Sequence, residues 1–465
     1  MTRYTLTFVQ EDYEALQSHL AWAGAERAAY LICRLSVTAD ETRLLVTDLL
    51  PVEETDVISS SATHMQIAGA SFRRAMKQAD LKKSAFVFVH SHPSGHRTHS
   101  NQDDREEKSL FRTAHIRIKA ASVHASLVFA DGEVSAARVW LADGSVAPIE
   151  RVRVIGTRFR FIWFDEEQTE EIPDFFDRQV RAFGADIQRL LKRLTVGIVG
   201  VGGTGSAVAQ QIARLGIGRL IVADGEEFER SNANRVYGSR VVDDSIKKVK
   251  IAERSIDEIG LDTEVNVIPR PISYSDSLAA FRDCDVVFGC TDDEWGRSLL
   301  TRLAVYYAIP VLDMGVKIDS DDGVIRSVQG RVTTLLPGTA CLYCRGRITA
   351  DRVRHEVLRA TDPEEAERQV EEGYIPELGD PAPAVVAFTT AVAASAVGEF
   401  LHRLTGFMGE ERESSEVLHL FDVSTTRTNR KQSLESCFCA GKGHESSKWC
   451  RGDTKPLLDT IWRVE

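Results

Sequence analysis

The chain has 465 residues, 43% of them apolar and 27% charged, an ordinary composition for a folded protein and long enough for two or three domains. A formal net charge of −12 argues against a nonspecific nucleic-acid binder, which needs clustered lysine and arginine. Eight cysteines, with no signal-peptide pattern in MTRYTLTFVQED, point to a reducing compartment where thiols serve metals or catalysis. A cytoplasmic location is expected.

Residues 1–150 read as a compact α/β unit, with strands over 28–35, 42–50, 85–90, 125–130 and 135–140 and a helix over 65–79. The charge-rich stretch 151–173, acidic at 166–171, reads as a linker. A helical stretch over 174–194 leads to the apolar run 196–199, the pattern of a buried parallel strand. Gly200, Gly202 and Gly205 then form G-x-G-x-x-G, and a helical period follows through Ala207, Ile212 and Leu215. A second apolar run, 220–223, ends at Asp224. This strand–turn–helix–strand unit, with an acidic residue at the distance of a ribose contact, is expected to bind a nucleotide. Strand and helix alternate to about residue 421, so a domain over 174–435 and a polar, cysteine-containing tail over 436–465 are expected. The apolar segment 383–401 is rich in Ala and Thr and contains Glu399, which makes it a core helix rather than a membrane span.

The first chemical constellation is FVFVHSHPSGHRTHSNQDD. His90 and His92 lie two apart after an apolar strand, so both leave the same face. Pro93 and Gly95 turn the chain, and Asp103 returns eleven residues after His92. Two imidazoles and one carboxylate suit a catalytic zinc, with a fourth position left for water and a nearby base required. Ser100 can donate a hydrogen bond to a developing oxyanion. His96 and His99 read as solvated loop residues and Cys33 as core.

The order His-x-His-Pro, then Ser-x-x-Asp, resembles the JAMM (MPN) metalloproteases, deubiquitinase-like isopeptidases. The resemblance covers roughly residues 1–145. It implies a cytidine-deaminase-like α/β fold, Zn2+ held by His90, His92 and Asp103, and Glu26, in GAERAAYLICRL, as the general base.

A lone glycine loop would equally suit a nicotinamide dehydrogenase. Here Asp224 is followed by Ser231-Asn232-Ala233-Asn234-Arg235, then Lys248-Val249, then Cys290-Thr291-Asp292-Asp293. From about 176 to 421 this series resembles the adenylating domain of the ThiF/MoeB/HesA and ubiquitin-activating family. The resemblance implies a Rossmann-like fold with a mixed, mostly parallel sheet. It also implies that Asp224 holds the ribose of ATP, that Asn232, Arg235 and Lys248 contact the phosphates, and that Asp292 positions Mg2+. Arg178, in FDRQVRAFG, matches the arginine that family members supply to the partner subunit's site, so a homodimer is implied. The chemistry is coherent on its own terms: a carboxylate attacking an α-phosphate brings two anions together, and Arg, Lys and Mg2+ neutralise them.

Cys341 and Cys344 form C-x-x-C after Pro337-Gly338, where this family carries half of a structural zinc site. The second half is usually another C-x-x-C. Here Cys437 and Cys439 are one residue apart, and Cys450 or His444 could stand in for one of them. Cys284 and Cys290 border an apolar strand and read as buried. The stretch 360–385, where thioester-forming activating enzymes carry a cysteine, has none. An enzyme that stops at the acyl-adenylate is therefore expected, its acyl group taken by a conjugating enzyme's cysteine, a sulfur donor or an amine.

The expected whole is a fused protein of a bacterial ubiquitin-like pathway. One half activates the C-terminal glycine of a ubiquitin-like partner with Mg-ATP. The other matures or removes that modifier. Sulfur-carrier activation for cysteine, thiamine or molybdopterin synthesis is the alternative, and antiviral defence and housekeeping sulfur transfer both fit. A nucleotide-binding scaffold with a decayed protease is the non-catalytic rival, opposed by the intact His90/His92/Asp103 and Lys248/Asp292 sets. No nucleic-acid or membrane partner is expected.

Overall fold

The computed structural model describes residues 2–21, 24–164, 171–376, 383–409, 412 and 414–440. These fall into two compact units, one up to Phe164 and the other from Glu171.

In the first unit, strands rich in β-branched and aromatic residues build one nine-stranded mixed sheet. They are β1 (Arg3–Val9), β2 (Ala28–Val37), β3 (Glu41–Pro51), β6 (Ala85–Ser91), β7 (Val123–Ala130), β8 (Glu133–Leu141), β9 (Val146–Pro148), β10 (Arg151–Ile155) and β11 (Phe159–Trp163), with β4 (Val57–Ser60) and β5 (Met65–Ile67) as a separate ribbon. The sheet order is β11-β10-β1-β3-β2-β6-β7-β8-β9. Helices α1 (Gln10–Leu20), α2 (Gly69–Leu81) and α3 (Asn101–Arg117) complete the unit. Phe8, Tyr13, Leu31, Phe86, Phe111 and Leu127 are fully buried in its core, each worth about 1.5–3 kcal/mol of transfer free energy.

Two expectations change here. The segment 151–163 is not a linker, because β10 pairs in parallel with β1 and β11 closes that edge. Its charges hid a strand: Arg151 and Arg153 are buried, and Arg151 acts with Arg43 on the buried Glu41. The helix expected over 65–79 begins only at Gly69, since Met65–Ile67 pairs with β4.

In the second unit an eight-stranded sheet runs β14-β13-β12-β15-β16-β17-β18-β19. The strands are β12 (Thr195–Val199), β13 (Arg219–Ala223), β14 (Glu264–Ile268), β15 (Val286–Gly289), β16 (Val311–Asp321), β17 (Val324–Leu335), β18 (Glu416–Leu420) and β19 (Thr425–Asn429). The first five strands in sheet order are parallel and the rest antiparallel. The chain leaves β12 for β13 and β14 on one side, then crosses back to β15 on the other. That reversal opens a crevice at the carboxyl ends of β12 and β15, where such folds bind ligands.

The helices are α4 (Asp177–Phe183), α5 (Ala185–Arg193), α6 (Gly203–Arg214), α7 (Lys248–Asp257), α8 (Ser275–Phe281), α9 (Glu294–Tyr307), α10 (Ala350–Thr361), α11 (Pro363–Glu371) and α12 (Val386–Thr405). The helical stretch expected over 174–194 is broken at Gly184, whose φ of +88° ends α4 before α5 begins. Helix α12 packs as a core helix, with its Glu399 buried against Arg403 and Arg412. No helix among the described residues is long and apolar enough to cross a membrane.

Candidate functional site

Strand β6 delivers the first constellation. Phe88 and His90 point to one face, and His92 follows on that face because its backbone N–H bonds Phe129 O at 2.7 Å and extends the pairing with β7. Ser100 then caps α3. Its Oγ accepts from Asp103 N at 3.2 Å while its own N–H donates to Asp103 Oδ2 at 2.6 Å, a reciprocal capping box. The box turns Asp103 back toward the histidines and leaves the Ser100 hydroxyl proton free to donate.

His90 Nε2 and His92 Nε2 are 3.0 Å apart, and they lie 3.3 and 3.6 Å from the Asp103 oxygens. A tetrahedral zinc with bonds of about 2.0–2.1 Å spaces its ligand atoms by about 3.3 Å, so the trio has the spacing of a metal site. His92 Nδ1 donates to His96 O at 2.9 Å, which leaves Nε2 with its lone pair, and burial lowers the His92 pKa and favours that neutral ring. These residues fit zinc.

The trio opens on a cavity of about 1000 Å3 whose wall also carries Glu26 and Ser100. Burial raises the Glu26 pKa, His90 opposing it. His99 is not solvated. Its Nε2 lies 3.1 Å from Ser126 Oγ, and burial lowers the imidazole to about 2. Behind it Glu107, one helical turn after Asp103, is 2% exposed and takes Ser126, Arg138 and Trp140 on one oxygen. Its other oxygen lacks a hydrogen bond among the described residues. Only the four-residue spacing from Asp103 hinted at Glu107 in the sequence.

In the second unit a cavity of about 700 Å3 occupies the crevice. Gly200, Gly202, Asp224, Arg235, Lys248 and Asp292 all stand on its wall. Gly200 has φ +85°, and a Cβ there would come within 3.0 Å of the Cys290 backbone. Gly205 is off the wall and serves packing, since its Cβ would meet Gly200 O at 1.8 Å. Helix α6 starts at Gly203, earlier than the motif suggested, and Gly203 and Thr204 of its first turn line the cavity.

Asp224 is oriented by Val201 N and Glu226 N, each at 2.8 Å on a different oxygen. Burial raises its pKa and these donors oppose it. Lys248, 8% exposed at the start of α7, pairs with Glu226. Arg235 lies against Gly203 and donates to Ser231 O at 2.8 Å. Asp292 is exposed, with no hydrogen bond or ion pair among the described residues. A hard divalent cation takes oxygen ligands of this kind, so Asp292 fits magnesium.

Besides Gly205, two more expected residues are not on the wall. Asn232 is buried in its own turn, its Oδ1 3.5 Å from Glu229 N, and Arg178 is exposed on α4. Three charged wall residues escaped the sequence reading. Glu226 pairs with Lys248, Arg297 is anchored on the buried Asp313, and Glu356 of α10 caps α9 through Glu294 N and Trp295 N at 3.1 and 2.6 Å. Cys284 is buried as expected, whereas Cys290 is half-buried and lines the cavity.

The four cysteines come together. Cys341 and Cys344 sulfurs are 3.8 Å apart, and each lies 3.5 Å from its tail partner, Cys437 and Cys439 respectively. Zinc–sulfur bonds of about 2.3 Å put tetrahedral sulfurs about 3.8 Å apart. Leu434 N donates to Cys344 Sγ at 3.3 Å, an outer contact usual around thiolate ligands. The set fits zinc despite the one-residue spacing. His444 and Cys450 lie outside the described residues.

With this geometry in hand, residues 176–439, more than half of the chain, match the ThiF family. The chain belongs to the ThiF family. Residues 13–141 match the prokaryotic homologs of the JAB domain, so this ThiF-family member is a fusion of the two. It is similar to the vegetative HesA protein of Trichormus variabilis, 30% identical over 165 residues, covering 35% of this chain and 58% of that protein. The ubiquitin-like modifier-activating enzyme 5 of Gallus gallus is 30% identical over 168 residues, covering 33% and 40%. The sulfur carrier protein ThiS adenylyltransferase of Bacillus subtilis is 29% identical over 164 residues, covering 35% and 46%. The chain spans about half the length of the curated relatives it matches. Among solved structures, E. coli MccB with MccA-N7isoASN aligns at a TM-score of 0.46 and 16% identity over 59% of this chain and 76% of that one.

Proposed function

We propose that the second unit uses ATP to adenylate the C-terminal glycine of a ubiquitin-like or sulfur-carrier protein, and that the first unit is a zinc-dependent peptidase that matures or removes the same carrier. The observation that carries the reading is the single cavity wall gathering the glycine loop, Asp224, Arg235, Lys248 and Asp292 from separate parts of the sequence.

Asp224 accepts the ribose hydroxyls on the lone pairs its two backbone donors leave free. The amides that open α6 receive the phosphates. Lys248 exchanges Glu226 for the α-phosphate, and Arg235 offsets the charge of the incoming carboxylate. A bond then forms from a carboxylate oxygen to the α-phosphorus as the bond to pyrophosphate breaks. Magnesium at Asp292, when bound, would neutralise phosphate charge. Each aimed cation is worth about 2–4 kcal/mol in such a transition state. An exposed Arg178 is available to a partner subunit's site, and a homodimer follows on this reading. With no cysteine in 360–385, the acyl-adenylate passes to an external nucleophile.

In the first unit, His90, His92 and Asp103 would hold zinc, which when bound supplies Lewis acidity. Glu26 takes the proton of the attacking water and delivers it to the leaving amine. Ser100 donates to the developing oxyanion.

Likeness to both a ubiquitin-like modifier-activating enzyme and a sulfur carrier adenylyltransferase keeps two carrier classes in view. A neighbouring conjugating-enzyme gene favours the first, and a sulfurtransferase or cysteine-synthase gene the second. The experiment is carrier-dependent ATP–pyrophosphate exchange; no exchange with any glycine-terminated carrier sinks the activation reading. Persistence of peptide cleavage in His92→Ala sinks the peptidase reading.

A further inference from the structure

Next to the metal trio, the cavity of the first unit turns apolar. The Phe88 ring stacks on the His90 imidazole with centroids 5.4 Å apart, and Phe72 meets Phe88 at 5.6 Å. Met65 and Ile67 of β5, Met76 of α2 and Leu110 of α3 continue this wall. All of these except Met76 are only half-buried, although each is a large hydrophobic residue beside an otherwise sealed core. Their remaining surface faces the cavity. Apolar lining with a few convergent polar groups is the make-up of a ligand pocket.

The carrier's terminal glycine entering the site would present no side chain to this wall and leave it wet. At about 1000 Å3 the cavity has room for much more. We propose that the wall formed by Phe72, Phe88, Met76 and Leu110 is a specificity pocket for one bulky apolar side chain flanking the bond that is cut. The inference rests on the peptidase reading. The product must end in the glycine that the second unit activates, so the apolar residue belongs to the leaving segment, immediately after that glycine. The substrate class is thus a glycine-ending carrier followed by Leu, Phe or a similar residue, in a tail or in an acceptor.

The test uses the full zinc-loaded chain carrying Glu26→Gln and four fluorescein-labelled peptides that differ only in the residue after a Gly-Gly pair: Leu, Phe, Gly or Asp. Burying such a side chain is worth roughly 10- to 100-fold in affinity, so the Leu and Phe peptides are expected to bind at least tenfold more tightly by fluorescence polarisation. Leu110→Ser, on the half-buried face of α3, is expected to reduce that preference while zinc content stays the same. Equal affinities for the four peptides, or binding of none, overturns the pocket. Equal cleavage of all four by the unmodified enzyme keeps the peptidase reading and overturns the pocket. A binding preference without any cleavage keeps the pocket and overturns the peptidase.

Discussion

Replacing Cys439 with serine tests whether the four-cysteine cluster clamps the second unit. Cys439 is fully buried, and its sulfur sits 3.5 Å from Cys344. The cluster joins Cys341 to Cys437, 96 positions away in sequence. Closing a loop of that length removes about 4–5 kcal/mol of unfolded-chain entropy in a cross-link model. The metal–ligand free energy itself is comparable to or larger than this for structural zinc. Cys439→Ser is therefore expected to lose one zinc equivalent and to lower the unfolding midpoint of the second unit by on the order of 10 °C. Zinc is counted by a colorimetric chelator after denaturation, and unfolding is followed by scanning calorimetry. Adding a chelator to the unmodified chain should reproduce the shift. An unchanged zinc count with an unchanged midpoint would refute the clamp.

Two further outcomes follow from buried charges. Glu41 is held at about 2: burial opposes its ionisation, and Arg43 and Arg151 outweigh that opposition. A carboxyl depressed from 4.5 stabilises the fold above its unfolded value and loses that contribution as pH falls from 4.5 toward 2, roughly 3 kcal/mol in all. Urea midpoints should drop across that window and drop less in Glu41→Gln; equal slopes would contradict the assignment. Lys248→Ala should lower exchange activity by about 100- to 1000-fold with the unfolding midpoint of the second unit nearly kept, because its partner Glu226 is mostly exposed and stays hydrated. A fold change below ten would remove Lys248 from the reacting centre.

Much of the architecture was legible because local signals and the fold agreed. The runs 196–199 and 220–223 became β12 and β13, and alternating strands placed His90 and His92 on one face. What the sequence hid was set by pairing across long distances. Arg151 and Arg153 read as linker charge, yet they are buried on a strand beside β1, where the Glu41 carboxylate offsets the charge of Arg151. His99 read as solvated because nothing local announces Ser126 and Glu107 behind it. Asn232 kept its place in a familiar series but spends its side chain on its own turn. Glu356 could not be foreseen at all, since it meets the start of α9 only after α10 folds back. The cysteine pair at 437 and 439 broke the expected spacing and still completed the cluster, because the turn at 438–440 presents both sulfurs to one side.

The most direct measurement of the central claim is ATP–pyrophosphate exchange by the full chain with a small ubiquitin-like or sulfur-carrier protein ending in glycine. The account predicts exchange that needs the carrier, its terminal glycine, magnesium and Lys248. Exchange that persists without the carrier, or none with any glycine-terminated carrier alongside tight binding of a nicotinamide dinucleotide, would contradict it.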